Sequence, residues 1–261
     1  MYDYHTHSSF SDDCLIPMET MVLSAIDKGI TQLAITDHYD PGYPDPEFPF
    51  GLDFKNCQER LLEMENKYKS QIKIVKGMEI GIMEGQFDAA RKEIYAFDYD
   101  FIIGSFHCLG SDDLYTFDFS KVNVPAMLEE FYLYVYKCLK TFKDYDVVGH
   151  LSIIDRYLGK AYDYRPYMDI IEEILKLVIY DGKGIEINTS SFKYGSDVLL
   201  PRLEILKLYK DLGGEILTIG SDAHEPKHFL SHFEETHALA QDIGFKHLAT
   251  FSKRKPYFVA L

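Results

Sequence analysis

Residues 72–81 read Ile-Lys-Ile-Val-Lys-Gly-Met-Glu-Ile-Gly. The run Ile72–Met78 is apolar and rich in β-branched side chains, as strands prefer, and it ends at Glu79, a carboxylate between Gly77 and Gly81. A carboxylate at the end of an apolar strand is costly unless it is ion-paired or coordinated, and both readings are open for Glu79. Outward from this stretch the same kind of run recurs at Tyr2–His5, Leu33–Thr36, Phe101–Ser105, Val147–His150, Gly184–Asn188 and Glu215–Gly220. Helical patterns lie between them, at Met18–Lys28, Asp53–Lys69, Gln86–Ala96, Val124–Phe142, Pro166–Asp181 and Val198–Leu212, and Phe233–Ile243 follows the last strand. Seven βα units in 261 residues predict one α/β domain over 1–261, a closed or nearly closed (βα)7 barrel, because such barrels take about 250 residues. A doubly wound open sheet is the alternative. In the tail, Pro256 argues against a helix, so Pro256–Val259 is a last short strand or a docked extension.

Composition bounds the function. With 46% hydrophobic residues, 18 Phe and 20 Tyr, the chain carries ample surface for a core. The 27 basic against 42 acidic residues give a net charge of -15, which repels polyanions over a Debye length of ~8 Å and speaks against nucleic acid as a partner. A small phosphate ester is compatible with it, since a few cations or metal ions dominate the potential inside a cleft. Cys14, Cys57, Cys108 and Cys138 contain no CxxC pair, so they form neither a disulfide framework nor a zinc-finger signature. No leader-like or membrane-spanning apolar run is present in the sequence, and the expectation is a cytoplasmic protein without a membrane partner. Oligomeric state leaves no trace in the pattern.

In barrels of this kind the chemistry sits at the C-terminal ends of the strands. Six of the ten histidines fall there: His5 and His7, His38, His107, His150 and His224. Asp13, Asp37, Glu79, Glu186 and Asp222 occupy the same ends. Alternation along a strand puts His5 and His7 on one side, where both imidazoles can reach one ion. Each motif alone has a plain reading: exposed strand-end histidines for His5-Thr-His7, a helix N-cap for Thr36-Asp37-His38, satisfied core histidines for His107 and His150. Taken together they converge on one face, which argues for a metal cluster, and far more candidate ligands than one ion uses imply two or three ions sharing a bridging carboxylate, for which Glu79 is the natural choice.

In this order the motifs, HxH, TDH, GMEIG, GSFH, GH and SDAH, resemble the PHP (polymerase and histidinol phosphatase) superfamily, from His5 to His224. Within it, His7-Ser-Ser-Phe-Ser-Asp-Asp13, Asp155-Arg156 and Gly184-Ile-Glu-Ile-Asn-Thr-Ser190 look most like the monofunctional histidinol-phosphate phosphatases of histidine biosynthesis. The resemblance implies a distorted, TIM-like (βα)7 barrel holding three metals: one on His5, His7, Glu79 and Asp222, a second on Glu79, His107 and His150, a third on Asp13, His38 and His224. Asp13 is preferred over Asp12, and Cys14, standing where serine is usual, is read as structural. It also implies a metal-dependent phosphoric monoester hydrolase that releases phosphate from L-histidinol phosphate using zinc, iron or manganese, without a covalent phosphoenzyme, with Glu79, Asp13, His38 and Arg156 at the reacting centre. Arg156 has the planar fork that grips phosphate, against an ordinary ion pair with Asp155 or Asp163. Glu186, Asn188 and Tyr115 are candidates for the substrate's amine and imidazole, and the loop Tyr39–Leu52 permits closure over the site. The competing readings are a phosphoesterase of the same family with another substrate and a catalytically silent metal-binding module.

Overall fold

The computed structural model describes residues 1–158, 162–195 and 198–261. Seven parallel strands pair in chain order: β1 (Tyr2–Thr6), β2 (Gln32–Ile35), β3 (Lys73–Gly81), β4 (Phe101–Ser105), β5 (Val147–Val148), β6 (Gly184–Asn188) and β7 (Leu217–Gly220). Between β2 and β3 in the chain, His38–Tyr39 also lies along β3, opposite Glu79 and Ile80. The ring closes where β7 meets β1, through a parallel bridge between Thr6 and Ala223 and through the Asp222 N–H, which donates to the His5 carbonyl at 2.8 Å. A few bonds replace a full ladder at this seam, and that is the barrel's distortion. The open-sheet alternative is overturned by it.

Among the described residues seven α-helices, α1 (Met18–Asp27), α2 (Phe54–Tyr68), α3 (Phe87–Ala96), α4 (Val124–Thr141), α5 (Met168–Tyr180), α6 (Leu203–Asp211) and α7 (Phe233–Ile243), pack their apolar stripes around the strands. On α5 the stripe is Ile171, Ile174, Leu175 and Val178, spaced for one helical face. Asp53 and Asn123 cap α2 and α4 by accepting the Asn56 and Ala126 N–H groups. No helix among the described residues is long and apolar enough to cross a membrane.

Three expectations need correction. β3 runs on to Gly81, so Glu79 is inside the strand rather than beyond it. The helix read from Val198 starts only at Leu203; Leu200 is extended and bridges Asn188, because Pro201 disfavours the helical region for the residue before it. The tail is a hairpin, β8 (His247–Ser252) with β9 (Lys255–Ala260), of which the sequence suggested only part of the second strand. Its two turn residues, Lys253 and Arg254, both have positive φ, which such turns normally assign to Asn-Gly. Tertiary contacts hold them instead: Asp100 accepts the Lys253 N–H at 2.9 Å and Asp146 accepts Arg254 Nε at 2.5 Å. The hairpin plugs the N-terminal end of the barrel, where Ala249 and Phe251 join Tyr4, Ala34, Val75, Phe101, Ile103 and Val147 in an apolar layer.

Candidate metal centre

The opposite end of the same strands is polar. Pairing between β1 and β2 shifts register between Asp3 and Thr6, and this bulge lets successive side chains serve two layers, Tyr4 in the apolar one and His5 above it. Above it stands Glu79, fully buried, with imidazole nitrogens divided between its two oxygens. His5 Nε2, His7 Nε2 and His38 Nδ1 lie 3.0, 3.4 and 3.1 Å from Oε2. His107 Nε2 and His150 Nε2 lie 3.3 and 2.9 Å from Oε1, which also accepts the Ser105 hydroxyl. Asp222 Oδ1 is 3.5 Å from His7 Nε2, and Asp13 Oδ2 is 2.9 Å from His224 Nε2. All nine residues expected as ligands are thus gathered at one end of the barrel. Asp12 turns away and accepts the Phe50 N–H at 2.8 Å, while Asp13 faces the cluster.

The electrostatics suit metal donors. Burial opposes ionisation of Glu79, but His5, His38 and His107 hold it well below the usual carboxylate range. Burial also works against Asp222, and Lys193, His5, His7 and Arg156 outweigh it. Burial, reinforced by His224 and His38, drives His7 well below its ordinary value, so its imidazole is neutral, the form that binds metal. Four groups of three donor atoms lie within 4.8 Å of one another: His7, His38 and His224; His5, His7 and Asp222; His5, Glu79 and His150; His38, Glu79 and His107. Among the described residues the buried atoms His7 Nε2 and His38 Nδ1 have no hydrogen-bond partner, although both face carboxylate oxygens. Nitrogen donors left without hydrogen bonds in a ring of carboxylates fit divalent metal ions.

Several supporting residues were not legible in the sequence. Asp37 caps no helix; it accepts Ser8 N, Ser8 Oγ and Ser11 Oγ at 2.6, 2.7 and 2.9 Å, and Ser11 Oγ lies 3.1 Å from His7 Nδ1. Glu186 and Asn188, expected at the substrate rim, do not line the cleft. Glu186 is buried below the cluster, its Oε1 2.7 Å from His5 Nδ1 and its Oε2 accepting the His150 N–H, and Asn188 donates to it at 3.1 Å. β7 passes so close between β6 and β1 that a Cβ on Gly220 would stand 2.3 Å from Glu186 Oε1 and from His5 Cβ. Cys14 is buried and its thiol pushed up to about 11 by burial, with Sγ against the His224 carbonyl, so it offers no thiolate.

A cleft of about 760 Å³ opens above the cluster. Arg156 lines it and donates through Nη2 to Ser190 Oγ and, at 3.1 Å, to Asp222 Oδ2. The ion pairs that competed for Arg156 are filled otherwise, Asp155 by Arg202 at 2.6 Å and Asp163 by Arg165 at 2.7 Å. Lys193, a second cation that sequence reading missed because a single lysine after a strand carries no pattern, donates to the Asp222 carbonyl at 2.8 Å. Tyr43, Phe48 and Phe50 from the 39–52 loop form one wall, and Tyr115, 72% exposed, stands on the rim with Asp45, Asp113 and Glu225.

A closed parallel barrel with a histidine and carboxylate cluster at its C-terminal mouth defines a class, and the PHP domain matches residues 3–190: the chain belongs to the PHP domain family. Among its relatives are the histidinol-phosphatase of Lactococcus lactis subsp. lactis (strain IL1403), 30% identical over 97% of this chain and 95% of that protein, and a probable histidinol-phosphatase of Clostridium acetobutylicum, 31% identical over 94% and 95%. The crystal structure of the histidinol phosphate phosphatase from Lactococcus lactis, complexed with zinc, L-histidinol and phosphate, superposes with a TM-score of 0.87 at 27% identity, covering 98% of each chain.

Proposed function

We propose that this chain, as one domain, is a metal-dependent histidinol-phosphatase that hydrolyses L-histidinol phosphate to L-histidinol and inorganic phosphate. The observation that carries the chemistry is Glu79, with five imidazoles shared between its two oxygens at the floor of the cleft. The substrate is supported by near full-length similarity to histidinol-phosphatases, one of them crystallised with L-histidinol, phosphate and zinc. Its place of action in this reading is the cytoplasm, in keeping with four free cysteines.

The donor set fits two or three divalent ions, drawn from zinc, iron and manganese. His5, His7, Glu79 and Asp222 would hold one, Glu79, His107 and His150 a second, and Asp13, His38 and His224 a third. When bound, such ions neutralise phosphoryl oxygens and generate a nucleophile from water at neutral pH. Glu79 spans two of the groups and keeps their spacing fixed. Arg156 presents the fork that pairs with phosphate oxygens, and Lys193 adds a second positive charge beside it. Asp13 and His38 line the cleft beside His224, where the three would hold an ion to help the leaving alkoxide. The acidic and aromatic rim, with Asp45, Asp113, Tyr43 and Tyr115, suits the substrate's ammonium and imidazole.

The test is phosphate release from L-histidinol phosphate by protein loaded with zinc or manganese. The expected kcat/KM exceeds ~10⁴ M⁻¹s⁻¹ and disappears with a strong chelator. A folded, metal-loaded protein that is inert on this ester but cleaves a nucleotide or phosphotyrosyl peptide would move the substrate assignment to that ester.

A further inference from the structure

Asp40 lies outside the histidine and carboxylate motifs, yet it is almost fully buried beside the cluster. Two residues before it, His38 pairs with Glu79 on β3, and Tyr39 pairs with Ile80. The chain therefore brings Asp40 up against Gly81, the last residue of β3 and the second glycine of the stretch around Glu79. At that point the carboxylate crosses the strand. Its Oδ2 reaches His107 Nδ1 at 2.5 Å, on the far side of β3 and just past the end of β4. The crossing needs a glycine: a Cβ at position 81 would stand 2.5 Å from both Cγ and Oδ2 of Asp40. The other ring nitrogen of His107, Nε2, points at Glu79 Oε1 from 3.3 Å. The backbone of Asp40 also holds the aromatic wall of the cleft, its N–H donating to the Phe50 carbonyl at 2.9 Å and its carbonyl accepting from Tyr43 at 3.0 Å.

We infer that Asp40 is a positioning residue for the metal centre: by accepting the Nδ1 proton of His107 through the space left by Gly81, it turns Nε2 toward Glu79 and the metal. A carboxylate behind a ligating imidazole sets its tautomer and orientation and raises its basicity, and losing such a partner typically costs 10–100-fold in metal affinity or activity. His5 is backed similarly by Glu186. Like Glu186, which reaches His5 past Gly220 of β7, Asp40 reaches its histidine past a glycine in a third strand, so the arrangement can be disturbed without touching either partner. This inference rests on reading His107 as a ligand.

The experiment is zinc binding, read by chelator competition and by zinc content after dialysis, on purified protein and three variants. Wild-type protein is expected to hold at least two zinc ions; if it binds none, the metal reading itself falls, independently of Asp40. Given binding, Asp40→Ala is expected to weaken the zinc that uses His107 by ~10–100-fold and leave the other zinc unchanged. Gly81→Ala should reproduce the loss with Asp40 still present. Asp40→Asn, which preserves size and an acceptor, should fold like wild type and lose less than Asp40→Ala. Zinc affinity within twofold of wild type in folded Asp40→Ala overturns the inference, as does an Asp40→Asn variant as impaired as Asp40→Ala. Uniform weakening of every zinc also overturns it, because it would mark a purely structural residue.

Discussion

The two ends of this barrel are built from the same strands and obey opposite rules. At the N-terminal end, Tyr4, Val75, Phe101 and Phe251 meet in a layer closed by the β8–β9 hairpin, with the Tyr4 and Phe101 rings 5.2 Å apart, edge to face, and the Phe101 and Phe251 centroids 4.7 Å apart. At the C-terminal end, one residue further along β1 and four further along β3 and β4, stand His5, Glu79 and Ser105, and their polar atoms crowd one another. One end is stabilised by burial of apolar surface, of order 25 cal/mol per Å². The other gathers buried charge and unsatisfied nitrogens, an arrangement that is unfavourable without cations. The difference teaches that one end maintains the barrel so that the other can be kept ready for chemistry.

If the division is real, each end can be damaged separately. The largest effect belongs to Glu79→Gln, which removes the single negative charge shared by the two oxygens of the carboxylate bridge: turnover of L-histidinol phosphate should drop by more than ~10⁴-fold, above about 5 kcal/mol of barrier, with far-UV circular dichroism unchanged. A variant retaining a tenth of its activity would break the picture of Glu79 as the centre. Next comes Phe251→Ala, which opens a cavity in the apolar layer and should lower unfolding free energy by ~3–5 kcal/mol in urea titrations while zinc stoichiometry holds. Zinc lost in proportion to stability would mean that the ends are not separable. Arg156→Ala should raise KM for the phosphate ester ~10- to 100-fold, as expected for removing a hydrogen bond to a charged group, with a smaller change in kcat. An unchanged KM would return Arg156 to a structural partner of Asp222.

The smallest effect is a control on the outer helix layer. Glu19 on α1 bonds to Arg60, Lys67 and Tyr68 of α2, and the Lys67 and Tyr68 contacts hold its carboxyl down to about 2. A depressed carboxyl contributes stability above its unfolded value of about 4.5 and loses it as pH falls toward the folded value. The melting-temperature advantage of wild type over Glu19→Gln should therefore be slight near pH 7 and shrink below pH 4.5. An advantage that grows on acidification would contradict this sign.

What was legible and what was not follow the same division. The seven strands and the histidines at their ends could be read from local pattern, since alternation, apolar runs and helix stops are properties of neighbouring residues. The choice of Asp13 over Asp12 came with the family resemblance, and the geometry turns only Asp13 toward His224. Glu186 and Asn188 were drawn as rim residues because a polar residue on a strand looks the same from the sequence whether it faces a ligand or a neighbouring histidine. Ring closure at Thr6 and Ala223 decided that, by bringing β1 against β7, so that Glu186 on β6 reaches His5 past Gly220. The hairpin turn escaped notice because Lys253 and Arg254 lack turn chemistry of their own and are held by Asp100 and Asp146, more than 100 residues away.

By itself, then, the sequence determined the βα repeat and the inventory of polar residues at the strand ends, because each of these is written in short-range spacing; closure of the ring was decided by the seam between Thr6 and Ala223. Only the tertiary structure decided which oxygen of Glu79 faces which histidine, which carboxylates sit beneath the imidazoles and how Asp40 passes β3 at Gly81. Those depend on distances between strands that are remote in the chain, and such distances exist only once the ring has closed.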